Sequence, residues 1–313
     1  MRNSKRITAV IISLLLILSI YGCIPNADLS TFSPSPSPNV TNEPTNTPSP
    51  ENGALIINHD FATLDILRSI PLEWINLART DLHVYYNHTS HGSQITSGME
   101  GLPDFIDGLD ILPENTFAFN SSGNNGALQL WDQYSTDLGN SEWDEITNNF
   151  IESNPSVNVV MWSWCGQVSW ASVEDIDDYL AKMSALETEY PNIKFVYMTG
   201  HTDGTGEEGN LNIRNNQIRQ YCIDNDKILF DFADIESHDP DGNYYLDNNV
   251  TDNCDYELGG ISHNWATEWQ NAHTQSVDWY ECSSAHSQSL NANMKAYAAW
   301  YLFARLAGYQ GNS

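Results

Sequence analysis

Apolar positions recur along the chain in two rhythms. Between 61 and 78, Leu64, Leu67, Ile70, Trp74, Ile75 and Leu77 fall at helical spacing, with Pro71 placed to begin a second helix. The next stretch, Leu-His-Val-Tyr-Tyr-Asn-His-Thr-Ser-His-Gly-Ser-Gln-Ile at 82–95, opens with the strand formers Val84, Tyr85 and Tyr86 and ends in hydroxyls, imidazoles and a glycine. A short helix or loop is expected over 98–109 and an extended piece over 116–119. A glycine-containing turn at 120–126 then opens onto 127–134. Helical periods at 143–153, 173–190 and 212–224 alternate with apolar runs at 157–162, 194–198 and 228–232, which read as buried strands. From 233 to 284 the chain is loop-rich. An amphipathic helix follows at 287–306, built on Leu290, Met294, Tyr297, Ala298, Tyr301, Leu302 and Leu306 and stopped by Gly308.

Strands alternating with helices predict an α/β fold of three layers, α/β/α, around a mainly parallel sheet. The predicted strands end in polar residues, which such a sheet gathers along its carboxyl edge, where open α/β sheets bind ligands. No repeat and no second low-complexity linker interrupts 53–313, so this span reads as one domain.

The N-terminal part is of another kind. Arg2, Lys5 and Arg6 precede an apolar run that closes on Ile20-Tyr21-Gly22-Cys23, so 1–23 reads as a signal peptide. A small residue before cysteine resembles the lipobox of bacterial lipoproteins, which makes Cys23 the expected lipidation site, bulky Tyr21 notwithstanding. Residues 24–52, rich in Pro, Ser, Thr and Asn, read as a disordered tether. Together they imply an extracytoplasmic protein anchored to the membrane through Cys23. With 12 Lys and Arg against 41 Asp and Glu, the surface charge argues against nucleic acid as a partner. Apart from Cys23, four cysteines remain, Cys165, Cys222, Cys254 and Cys282. An even number in an exported chain allows two disulfides, with Cys254–Cys282 the preferred pair, or a buried, unpaired couple in Cys165 and Cys222.

Several side chains suit acyl transfer. Ser90 follows the first long strand, Gly123 and Gln167 sit on turns after later extended segments, and His286 immediately precedes the last helix. A serine becomes nucleophilic when a histidine takes its proton and N–H donors meet the developing oxyanion. This order resembles the SGNH (GDSL-type) hydrolases over most of 82–306. Where that family has Gly-Asp-Ser, the chain has His88-Thr89-Ser90, and His-Thr-Ser-His-Gly is similar to the His-His-Ser-Thr-Gly of divergent members. The resemblance implies a flavodoxin-like topology, Ser90 as nucleophile, His286 as base, and Gly123 with Gln167 as oxyanion donors. Two departures stand out: Trp164-Cys165-Gly166-Gln167 replaces Gly-x-Asn-Asp, and Ser283-Ser284-Ala285-His286 replaces Asp-x-x-His, removing the acid that orients the base. Asp278, Glu281 or a backbone carbonyl could take its place.

Other residues widen the choice. His88, His91, His201 and Asp203 lie at strand ends, where they can position substrate or hold a hydrolytic zinc. Asp239, Asp241 and Asn243 alternate around Gly242 as in a structural calcium loop, a run that in an acidic chain also suits a solvated turn. Trp164, with Trp162 and Trp170, places aromatic faces near the same edge, which suits sugar rings as well as core packing. The expected function is therefore a serine esterase or deacylase acting on a small ester or an acylated polysaccharide, needing no cofactor. A non-catalytic carbohydrate-binding protein on the same fold and a metal-dependent hydrolase remain as alternatives.

Overall fold

Seven parallel strands run through the middle of the protein in the order β1-β7-β6-β5-β2-β4-β3. They are β1 (Leu55–Ile57), β2 (His83–His88), β3 (Phe119–Asn120), β4 (Leu128–Tyr134), β5 (Val159–Trp162), β6 (Lys194–Met198) and β7 (Ile228–Phe230). The computed structural model describes residues 53–109 and 112–311; the predicted signal peptide, Cys23 and tether lie outside the described residues. The fold is the expected α/β/α sandwich. No helix among the described residues is long and apolar enough to cross a membrane.

Side-chain alternation builds the two outer layers. From β2, Val84 and Tyr86 enter one apolar cluster and Tyr85 the other; β5 divides Val159 and Met161 from Val160 and Trp162 in the same way. On the first face pack α1 (Leu64–Ser69), α2 (Leu72–Asp81), α3 (Ser93–Leu109) and α9 (Ser289–Leu306). The second face is covered by α4 (Trp143–Ser153), α5 (Val173–Glu189) and α6 (Asn210–Asp224). The short helices α7 (Phe232–Glu236) and α8 (Trp265–Ala272) and the antiparallel hairpin of β8 (Asp255–Leu258) and β9 (Ile261–Asn264) occupy the segment expected to be loop.

Strand order fixes where a site can form. Taking β2, β4, β5, β6 and β7 in chain order, the sheet reads second-first-third-fourth-fifth, the doubly wound order in which connections leave the first and third strands in opposite directions. The crevice this leaves lies beyond the carboxyl ends of β2 and β5, where His-Thr-Ser-His-Gly and Ser-Trp-Cys-Gly-Gln follow.

Helix α3 begins before position 98, where a short helix or loop was expected to start. Gln94 N–H bonds to His91 C=O and Ser93 N–H to Ser90 C=O, so the helix starts directly out of the polar motif. It crosses α9 closely enough that a Cβ on Gly98 would stand 2.1 Å from Ala292 O. The four cysteines among the described residues are free thiols, which corrects the expected disulfides. Cys254 Sγ meets Ser287 Oγ at 3.4 Å, and Cys282 Sγ accepts from Asn293 Nδ2 at 3.3 Å, so the preferred pair is engaged elsewhere.

Candidate active site

The turn after β2 is held by the strand itself. Tyr86 Oη donates to Gly92 C=O at 2.9 Å, and a Cβ on Gly92 would come within 2.2 Å of Ser163 Oγ and 2.4 Å of His88 Cβ. Only glycine lets the turn fold back against both β2 and the end of β5. His88 is buried and tied up, with Nε2 2.5 Å from Asp132 Oδ1 and Nδ1 2.9 Å from Thr89 C=O, so it braces the strand end. Thr89 Oγ1 donates to Asp137 Oδ2 at 2.6 Å.

His91, the next imidazole, is the centre of the site. Its Nδ1 is 3.3 Å from Cys165 Sγ and its Nε2 is 3.0 Å from Asp252 Oδ2. The ring stacks on His201 at 3.7 Å between centroids with planes 2° apart, and on His286 at 4.4 Å and 15°. Burial pushes the His91 imidazole below its ordinary range; the hydrogen bond to Asp252 works against this, and neighbouring His201 and His286 reinforce it. For Asp252 burial works upward, yet the hydrogen bond from His91 and the adjacent imidazoles prevail and hold the carboxyl below the usual carboxylate range. A neutral, carboxylate-oriented imidazole beside a thiol is the arrangement of a general base and its nucleophile.

Two other segments complete the cluster. Beyond β5, Cys165 N–H donates to Gln167 Oε1 at 3.0 Å, while Gln167 Nε2 donates to Asp137 Oδ1 at 3.0 Å. Gln167 is thus spent on shaping the cysteine turn and is not an oxyanion donor in this arrangement. Asp252 arrives through the backbone bridge between Asp203 and Thr251, with Gly204 N–H on Val250 C=O at 3.1 Å. The Asp203 carboxylate caps its own loop through Thr205 N–H and Oγ1, so its contribution is to the backbone, and it stands outside the imidazole cluster.

Of the residues expected to act, Ser90 and His286 both reach this edge but are not joined. Ser90 Oγ has Cys165 Sγ as its neighbour at 3.9 Å, and no hydrogen bond links it to His286. His286 is exposed, holds a left-handed backbone with φ 62°, and touches His91 face to face. Asp278 and Glu281 do not orient it, since Asp278 accepts from Thr274 N–H and Glu281 from Ser289 Oγ. Gly123 is elsewhere: it packs against Gln129, which pairs with His83 at the amino end of β2. A glycine that does lie beyond the carboxyl end of β4 is Gly139, where a Cβ would meet the Gln167 carboxamide at 2.3 Å. Trp164 is buried, donating Nε1–H to Met198 C=O at 3.0 Å.

The Asp239 loop is complete in itself. Asp239 Oδ1 accepts from the N–H groups of Asp241 and Asn243, and Oδ2 from Asn243 Nδ2 and Tyr245 Oη. Asp241 accepts from Trp269 Nε1. Both oxygens of Asp239 thereby accept hydrogen bonds that close its own turn.

No family model matches the chain, and no curated protein matches it. The site therefore rests on its own geometry.

A buried ion pair supports that geometry from below. Lys295 of α9 and Glu236 of α7 are both fully buried, with Nζ 2.7 Å from Oε1. Glu236 Oε2 accepts from Thr202 N–H at 2.8 Å and Oγ1 at 3.2 Å, fixing the residue after His201. Lys295 also donates to Gln94 Oε1, and Gln94 Nε2 donates to Ala285 C=O at 2.6 Å, beside His286. One interior network thus holds the loops that carry all three stacked imidazoles.

Proposed function

We propose that the protein is an extracytoplasmic acyl hydrolase whose nucleophile is Cys165, whose base is His91 and whose orienting acid is Asp252. The observation that carries this reading is the continuous chain from Cys165 Sγ through the His91 ring to Asp252 Oδ2, at 3.3 and 3.0 Å. In the tautomer that donates Nε2–H to Asp252, Nδ1 is free to take the thiol proton. The thiolate attacks the ester carbonyl, and the tetrahedral intermediate expels the alcohol, which leaves with the proton held by His91. Water then gives a proton to His91 and attacks the thioester; Cys165 departs as thiolate and recovers that proton.

A cleft of about 300 Å³ adjoins the cysteine turn through Gln167. Trp170, 72% exposed, forms one wall, with Asn140, Asp175 and Lys182 among the polar groups around it. An indole face opposite hydrogen-bonding groups suits a sugar, so the substrate class proposed is an acylated carbohydrate. Anchoring through Cys23 and the tether would place this site at the membrane surface, within reach of extracellular polymers.

A second reading keeps Ser90 as nucleophile, as in the SGNH hydrolases. It is favoured by the position of Ser90 at the end of β2 and by its 3.9 Å contact with the same sulfur.

The thiols themselves discriminate. Cys222 and Cys254 are fully buried, and burial raises the thiols of Cys222, Cys254 and Cys282, the last two to about 12. Brief treatment of the folded protein with iodoacetamide is expected to modify Cys165 first and to abolish ester hydrolysis in step, as read by peptide mapping. Full activity with Cys165 completely alkylated would overturn the cysteine assignment.

A further inference from the structure

The imidazole cluster contains a buried group, His201, that the thiol mechanism does not use. His201 is 7% exposed; its Nδ1 is 2.6 Å from Thr202 C=O, while its Nε2 is buried and has no partner. A neutral histidine that donates Nδ1–H to a carbonyl presents a lone pair on Nε2. That carbonyl belongs to the residue clamped by Glu236, so the tautomer and ring orientation are fixed from the interior, which is how metal-ligating histidines are commonly held. One nitrogen of His201, one of His91 and one carboxylate oxygen of Asp252 lie within 4.8 Å of one another.

From this arrangement we propose that the protein has an inhibitory zinc site formed by His91 Nε2, His201 Nε2 and Asp252 Oδ2. Two imidazoles and one carboxylate select zinc over magnesium or calcium, and three protein ligands leave a position for water. Asp252, whose side chain is 29% exposed, opens the site to solvent. The rings lie 2° from parallel, so in-plane lone pairs on their nitrogens do not converge, and the His91 ring must turn against the fixed His201 ring before both reach one ion. Such a site is not preorganised as a resident catalytic centre is, and it binds a regulatory ion more loosely.

The consequence for the triad follows from proton bookkeeping. Ligation requires His91 Nε2 without its proton, so the ring proton moves to Nδ1 and points at Cys165 Sγ. Zinc therefore locks His91 in the tautomer that cannot accept the thiol proton, and it takes Asp252 from its role as orienting acid. The inference rests on the proposed mechanism for its effect on turnover, but zinc binding is measurable without any activity.

The test is calorimetric titration of zinc chloride into the untagged, chelator-stripped chain at neutral pH, beside His201→Ala and His201→Gln. The parent is expected to take up one equivalent more zinc than either variant, or to bind that equivalent at least about tenfold more tightly. Cobalt(II) added to the parent should give the intense visible bands of a four-coordinate ion, a readout that needs no variant. Where hydrolysis is measurable, zinc should suppress it reversibly in the parent, and chelation should restore it. Equal zinc uptake by parent and both variants, or six-coordinate cobalt spectra, would overturn the site. Zinc uptake as expected by a parent chain that hydrolyses no ester even when zinc-free would count only against the acyl hydrolase.

Discussion

Replacing Cys165 with alanine is expected to lower kcat for a short acyl ester by about 10⁴-fold, and His91→Ala by a similar factor, because nucleophile and base act as one unit. Combining the two should cost little more than either alone. Ser90→Ala is the informative contrast. Its hydroxyl makes no hydrogen bond to an imidazole and only a long contact to the cysteine sulfur, so the expected loss is within about tenfold. Steady-state kinetics on the three variants checks this, with circular dichroism confirming that each is folded. If Ser90→Ala were the silent enzyme and Cys165→Ala the active one, the serine reading would replace the cysteine one.

Lys295→Met is expected to destabilise the fold by about 3–5 kcal/mol, the cost of leaving Glu236 charged and uncompensated in the interior. Burial already presses the Lys295 ammonium below its ordinary range, and Glu236 opposes this. The aromatic face of Phe232, with its centroid 3.9 Å from Nζ, adds to the cation's environment. Adding Glu236→Gln to Lys295→Met should recover a large part of the loss, since a neutral carboxamide oxygen can still accept from Thr202. Urea unfolding of the single and double variants measures both effects. Because the pair anchors Thr202 directly and Ala285 through Gln94, the single variant should also lose activity beyond what its unfolded fraction explains.

The sheet was legible for a physical reason. Strands buried on both faces read as continuous apolar runs, so β5 and β6 stood out as Val-Asn-Val-Val-Met-Trp and Lys-Phe-Val-Tyr-Met. Strand β1 did not, because three residues carry no period, and its place beside β7 is set by long-range pairing. Hairpin β8–β9 was hidden by strands too short to alternate convincingly and by surface exposure that removes the apolar signal.

The candidate site was half legible. The end of β2 was recognisable as its focus because a strand closing on His-Thr-Ser-His-Gly has few structural uses. Gln167 was expected to donate to an oxyanion, whereas its carboxamide faces Asp137 and the cysteine backbone, which depends on the fold of the Gly139 loop over it. Cys165 was read with the other cysteines as a disulfide or buried thiol, though its position just beyond β5 already placed it at the sheet's carboxyl edge. Asp252 carried no signal at all. It lies in an acidic stretch with many equals, and only the bridge from Asp203 to Thr251 selects it. Local sequence also could not tell that the histidine beside the serine pairs with a carboxylate, since His91 meets Asp252 across 161 positions of chain.

The most direct measurement is the site of acylation. Mixing the protein with a chromogenic acyl ester, quenching in acid within one turnover and mapping the peptides by mass spectrometry should place the acyl group on Cys165 as a thioester, released by neutral hydroxylamine. An acyl group on Ser90, or hydrolysis that proceeds with no acylated peptide, would contradict the assignment of Cys165, His91 and Asp252 as the catalytic unit.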